Sequence, residues 1–145
     1  IYRKIKYKES TFYIIPEQNP GINLDFSIKS RLEESQDVHR KIKEFCIENN
    51  VSGSRANLAA VCAEEMTVNI IKFGWKSSNW IDINLCLEED ILNLRIRDNG
   101  VNFNPLEYKN DSEEFDIHGI ELVKKISKSM NYIRAIDMNN TIISF

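Results

Sequence analysis

The chain holds 145 residues, one domain's worth, enough to close a full core without disulfides or a structural metal. Its 42% hydrophobic and 28% charged content is ordinary for a globular protein, and 5 glycines with 3 prolines exclude collagen-like and low-complexity readings. Nineteen basic against 22 acidic side chains leave a net charge of −3, so no general basic excess argues for nucleic acid binding.

Cys46, Cys62 and Cys86 are odd in number and sit in apolar segments, the pattern of buried free thiols rather than a disulfide framework. With no Cys-x-x-Cys and only His39 and His118, a zinc site is not expected. No apolar run approaches the roughly 20 residues that span a bilayer, and no signal-peptide pattern precedes the first elements. The chain begins at Ile1 without a methionine, so it reads as a cytoplasmic domain of a longer protein, with residues 1–21 a lead-in and 22–145 the domain.

In chain order, the lead-in carries Arg3, Lys4, Lys6 and Lys8, then a β-prone run from Thr11 to Ile15 stopped by Pro16. Ile22, Leu24, Phe26 and Ile28 alternate as a half-buried strand. Ser30 and Glu33 have capping-box spacing, opening a helix with Leu32, Val38, Ile42, Phe45 and Cys46 on one side and an end near Asn49-Asn50. A second helix is expected from Ser54 to Phe73, closed by Gly74, with Leu58, Val61, Cys62, Met66, Ile70 and Phe73 as its apolar stripe. Ile81 to Leu87 and Leu92 to Ile96 form two alternating strands around Glu88-Glu89-Asp90, a hairpin. Asp98-Asn99-Gly100 breaks the second strand, and Asn104 to Asp116 reads as an acidic loop. Helical spacing returns at Ile120, Val123, Ile126 and Met130. The runs 132–136 and 141–145 finish as strands around a turn at Asp137–Asn140. The order β-α-α-β-β-loop-α-β-β predicts an α/β fold, a two-layer sandwich with helices on one face of a mixed, mostly antiparallel sheet.

Glu65 and Asn69 stand four residues apart in or beside the apolar stripe, on one helix face. Either they are a satisfied boundary pair, or they aim a carboxylate and an amide oxygen into a cleft for proton transfer and a hard cation. Lys72 is either a helix C-terminal cation or a phosphate-neutralising ammonium. Asp98-Asn99-Gly100 is a turn signal not followed by a strand, and Gly119 opens the third helix, where free amides suit an anion. Phe73, Trp75 and Trp80 read as packing residues.

Taken together, Glu65-x-x-x-Asn69-x-x-Lys72-Phe73-Gly74, then Asp98-x-Gly100, then a loop and Gly119-Ile120-x-Leu122-Val123-Lys124 resemble the GHKL (Bergerat-fold) histidine-kinase-like ATPases. The likeness is closest to the bacterial anti-sigma-factor serine kinases. It implies an ATP- and Mg²⁺-binding regulatory domain passing the γ-phosphate to a serine of a partner protein, with a sigma factor or its antagonist as partner and a homodimer as an expected form. The alternative is a non-catalytic nucleotide-binding or interaction domain fused to a larger, even membrane, protein. By the resemblance, Glu65 activates the acceptor hydroxyl, Asn69 ligates magnesium, and Lys72, Gly74 and Gly119 belong with the nucleotide. Asp98 accepts from the adenine amino group, Gly100 lets the base approach, Thr141 supports Asp98, and Asn104 to His118 form a lid. Ile117 stands where the family has the first glycine of Gly-x-Gly, and Asn140 where it has the glycine before the threonine. The first change leaves turnover of triphosphate open.

Overall fold

The computed structural model describes residues 21–73, 80–108 and 118–145. The lead-in, Gly74, Trp75, Ile117 and most of the expected lid lie outside the described residues. The elements are strand β1 (Ile22–Lys29), a 3₁₀ turn (Leu32–Glu34), helices α1 (Ser35–Glu48) and α2 (Gly53–Phe73), strands β2 (Trp80–Glu88) and β3 (Ile91–Asp98), helix α3 (His118–Ile126), and strands β4 (Ser129–Ala135) and β5 (Met138–Ser144). This is the expected order.

The five strands form one sheet in the order β1-β2-β3-β5-β4, and each neighbouring pair is antiparallel, so the described sheet is antiparallel rather than mixed. Strand alternation places Phe26, Ile28, Ile81, Ile83, Leu85, Leu92, Leu94, Ile96 and Ile143 on one face, all buried. Val38, Ile42 and Cys46 of α1, Met66 of α2, and Ile120 and Val123 of α3 complete the same core. The helices therefore cover one face of the sheet. Among the described residues, no helix is long and apolar enough to cross a membrane.

Four local expectations give way to packing. The Ser30–Glu33 capping box does not form. Arg31 caps the 3₁₀ turn without a side-chain bond, and Glu34 instead accepts from the Lys29 amide at 2.7 Å, while Leu32 is exposed. On α2 the fully buried stripe is Ala56, Ala59, Ala60, Cys62 and Ala63, and Leu58 and Val61 are only half-buried. Met130 lies in β4, because α3 ends at Ile126 and Ser127 to Lys128 turn the chain. Trp80 belongs to the opposite sheet face, where the Arg97 guanidinium lies 5.4 Å from its ring centre, so it does not cluster with Phe73.

That opposite face is polar yet closed at its centre. Arg97 donates to Asp82 at 2.6 Å, Ser27 also bonds Asp82, and Asn84 donates to Asp25 at 2.7 Å. Asp82, Asn84 and Arg97 are all buried, and removing one partner of such an ion pair strands the other.

Both hairpins use left-handed residues without glycine. Glu89 (φ 47°) and Asp90 (φ 65°) join β2 to β3, and Arg55 braces that turn through the Asp90 carboxylate at 2.9 Å. The β4–β5 turn falls at Ile136 (φ 52°) and Asp137 (φ 57°), between the paired Ala135 and Met138, not at Asp137–Asn140. Isoleucine is among the worst residues for this region, and Ile136 is 82% exposed, with no burial to offset the strain. Ile136→Asn is expected to stabilise the domain by about 1 kcal/mol, a rise of about 3 °C in thermal midpoint. An unchanged or lowered midpoint would refute the strained turn.

Candidate nucleotide site

The pocket opens where α2, α3 and the ends of β3 and β5 meet. Met66, Asn69, Ile70 and Phe73 come from α2 and Ile120 from α3; Asp98, Asn139 and Thr141 form the sheet side; Val101, Phe103 and Pro105 form the outer wall. Its lining is largely apolar with a few convergent polar groups, the usual character of a small-molecule site. Its innermost cavity, about 30 Å³, has room for a water or two.

Strand register explains the sheet side. Asp98 faces Ile81 across one ladder and Asn139 across the other, and Asn139 faces Arg134 on β4. Thr141 lies two residues beyond Asn139, on the same face. Asp98 Oδ1 accepts from the Gly100 amide at 2.8 Å and from Asn139 Nδ2 at 3.1 Å. The first bond closes an Asx turn, which is why the strand stops at Asp98 and why Asp98-Asn99-Gly100 is not a hairpin. Among the described residues nothing bonds Asp98 Oδ2, which leaves that oxygen for a donor entering the pocket. Burial pushes the Asp98 carboxyl above its ordinary range, and the Asn139 and Gly100 bonds and the Arg134 charge pull it back.

Sequence reasoning did not single out Asn139, although two adjacent asparagines in a strand are a signal, since asparagine is depleted there. It is buried, and its Nδ2 also donates to Val101 O at 2.8 Å. Its Oδ1 accepts from the Tyr132 hydroxyl at 2.6 Å and from Arg134 Nη1 at 3.0 Å. Burial raises the Tyr132 hydroxyl, keeping it protonated and able to donate.

The helix side joins the other motif residues. Asn69 is buried, and its Nδ2 donates to Glu65 O at 2.8 Å, a backbone tether that fixes the side chain. A Cβ added at Gly119 would sit 3.1 Å from Asn69 Nδ2, 3.2 Å from Glu65 Cδ and well inside contact with Glu65 Oε2. The start of α3 therefore packs directly on the Glu65–Asn69 pair, and only glycine fits there with Glu65 in place. Cys62, one turn earlier, is no competing nucleophile. Burial first, then the Glu65 charge, pushes its thiol up to about 12, and burial pushes Cys46 up to about 11.

Asn69, Asp98 and Thr141 thus line one pocket, while Gly100 bonds Asp98 and the Glu65–Gly119 contact lies beside Asn69, these three outside the lining itself. Lys72 stands apart: it is exposed on the last turn of α2 and lines no part of the pocket. Gly74 lies outside the described residues. Among the described residues, no group of three or more His, Cys, Asp or Glu side chains could hold a metal by itself. The free Asn69 Oδ1 fits the single hard-oxygen contribution Mg²⁺ accepts when phosphates and waters supply the rest. No family model matches the chain, and no curated protein matches it.

Proposed function

We propose that the chain is an ATP- and magnesium-binding regulatory domain of the Bergerat type, similar to the anti-sigma-factor serine kinases. The observation that carries this reading is that Asn69, Asp98 and Thr141, up to 72 positions apart, line one largely apolar pocket, with the Glu65–Gly119 contact beside Asn69. In this reading Asp98 Oδ2 accepts from the adenine amino group, with Met66, Ile70, Phe73 and Val101 against the ring. The phosphates extend toward Gly119, where α3 begins and its free amides favour negative charge. Asn69 Oδ1 would hold magnesium, whose chemistry there is neutralisation of phosphate charge. Glu65 would take a proton from an acceptor hydroxyl, the serine of a partner protein.

A second reading, nucleotide binding without transfer, draws on Lys72, which stands exposed outside the pocket lining. One experiment separates the two. Calorimetry should show Mg²⁺-dependent ATP binding by the wild type that Asn69→Ala weakens about tenfold or more. Glu65→Gln should keep binding within about threefold while abolishing any phosphate transfer. Wild-type protein that is folded yet silent toward ATP with magnesium would overturn both readings. Binding by the wild type without transfer to any serine substrate would favour the second.

A further inference from the structure

We propose that Asn139 is a positioning residue that makes this pocket discriminate a 6-amino from a 6-oxo purine, by fixing which edge of Asp98 meets the base. The inference rests on the nucleotide reading above and adds to it the residue that sets base selectivity.

The hydrogen-bond directions carry the argument. Asn139 Oδ1 faces the Tyr132 hydroxyl at 2.6 Å and Arg134 Nη1 at 3.0 Å, both donors, with the Phe103 amide at 3.4 Å. An amide turned the other way would set its NH₂ against these donors, so the NH₂ end is held toward Asp98 and Val101. Two donors, Asn139 Nδ2 and the Gly100 amide, then converge on the same oxygen, Asp98 Oδ1. The carboxylate cannot turn without breaking both bonds. Both donors favour the ionised carboxylate, which has no proton to give, so Oδ2 meets the ligand as an acceptor only, attractive to an amino group and repulsive to a carbonyl oxygen.

Arg134 reaches Asn139 and the Gly100 carbonyl, at 3.0 Å each, and no bond joins it to Asp98. Direct pairing with arginine would commit the acceptor lone pairs; an intervening neutral amide keeps the charge near and the oxygen available. The same side chain bonds Val101 O, so the acceptor and the wall over the ring are held by one residue.

The test compares ATP with inosine triphosphate, which carries a 6-oxo group, by calorimetry with magnesium on the whole chain. Wild type is expected to prefer ATP by about 100-fold or more, because a site built to accept a hydrogen bond rejects a ligand that presents an acceptor there. Asn139→Leu should reduce that preference to within about fivefold, mainly by losing ATP affinity. Tyr132→Phe removes one donor to the Asn139 amide and leaves Asp98 untouched, so it should give an intermediate preference and keeps the question answerable if the leucine variant does not fold. Asn139→Asp should bind ATP progressively less well as pH rises from about 5 to 8, as two facing carboxylates lose a shared proton, with no such trend in wild type. A merely structural Asn139 would weaken both nucleotides by one factor and leave their ratio intact, and that result overturns the inference. Wild type that binds neither nucleotide overturns the nucleotide reading itself, and the inference with it.

Discussion

Asp98→Asn is expected to leave the ligand-free domain as stable as wild type at pH 7, or more so, while reducing nucleotide affinity about 100-fold or more. The two effects have one origin. Asp98 is buried, and burial raises its carboxyl in the folded state. A raised folded pKa means the native state holds the proton more tightly than the unfolded one. The contribution of this group to stability is then greatest below the unfolded value, about 3.9, and falls as pH rises through the folded value. Asparagine lacks that decline. The midpoint difference between variant and wild type should therefore close as pH is lowered toward about 3.9 and open again toward neutrality.

Binding goes the other way because the isostere cannot reorient. Gly100 N and Asn139 Nδ2 require an acceptor at Oδ1, so the new NH₂ must take the Oδ2 position and point into the pocket. A donor would then face the adenine amino group. A hydrogen bond to a charged group contributes about 1.5–3 kcal/mol, and a donor opposed to a donor adds a desolvation cost, which together reach two decades in affinity. Thermal melting across pH and calorimetry read the two halves separately. Wild-type affinity in the variant would refute Asp98 as the base-recognising group; a midpoint several degrees lower at pH 7 would refute the buried-charge argument.

The second large effect is expected from Gly119→Ala. A methyl at that position runs into the Glu65 carboxylate and crowds Asn69 Nδ2 at 3.1 Å. The colliding carboxylate oxygen is the far end of a flexible side chain on a half-buried residue, so the fold can yield by swinging Glu65 away. Alanine also gains up to about 1 kcal/mol over glycine in helix propensity, which offsets part of the crowding. Stability should stay within about 1 kcal/mol of wild type. Function should not survive as well, because a displacement of about 1 Å in a reacting or binding group can cost about 100-fold. Magnesium-dependent binding, and transfer where it occurs, should fall by that order. In a Glu65→Ala background only the 3.1 Å contact with Asn69 Nδ2 remains, so Gly119→Ala should then be less costly than in wild type, a coupling of about 1–2 kcal/mol in a double-mutant cycle. Additive effects on stability would show that Glu65 does not contact Gly119 in solution.

Much of this was legible from local pattern. Alternation of apolar and polar residues located β1 and the β2–β3 hairpin, and the four-residue spacing of Glu65 and Asn69 put them on one face of α2. Where local signals misled, a longer-range term decided. Ser30 has capping chemistry, but the chain enters α1 through a 3₁₀ turn, and Glu34 serves the Lys29 amide. Leu58 and Val61 carry more hydrophobicity than alanine, yet Ala56, Ala59, Ala60 and Ala63 are the fully buried ones, because the face that α2 turns to the core is set by its tertiary packing and not by its own apolar stripe. The β4–β5 turn sits on Ile136-Asp137, of which only the aspartate favours the left-handed region, because the Asp98–Asn139 and Arg134–Asn139 registers fix where the strands must reverse.

The sequence by itself determined the order of elements, the β2–β3 hairpin and Glu65 and Asn69 as polar positions in or beside an apolar stripe, with Asp98 at a turn signal and Gly119 at a helix start, while Thr141 entered only through the resemblance in motif order. Apart from Thr141, these follow from nearest-neighbour chemistry, the periodicity of a strand or helix and the cost of a buried polar group. Only the tertiary structure decided that Asn69, Asp98 and Thr141 share a pocket, that Lys72 stands outside it, and that Asn139 links Asp98 to the pocket wall. Asn139 and Asp98 are 41 residues apart, and their bond exists only because β3 and β5 pair in one register. Register is set by the whole buried face of the sheet, since a slip of one residue would turn Ile96, Thr141 and Ile143 away from the core and Asn139 away from Asp98.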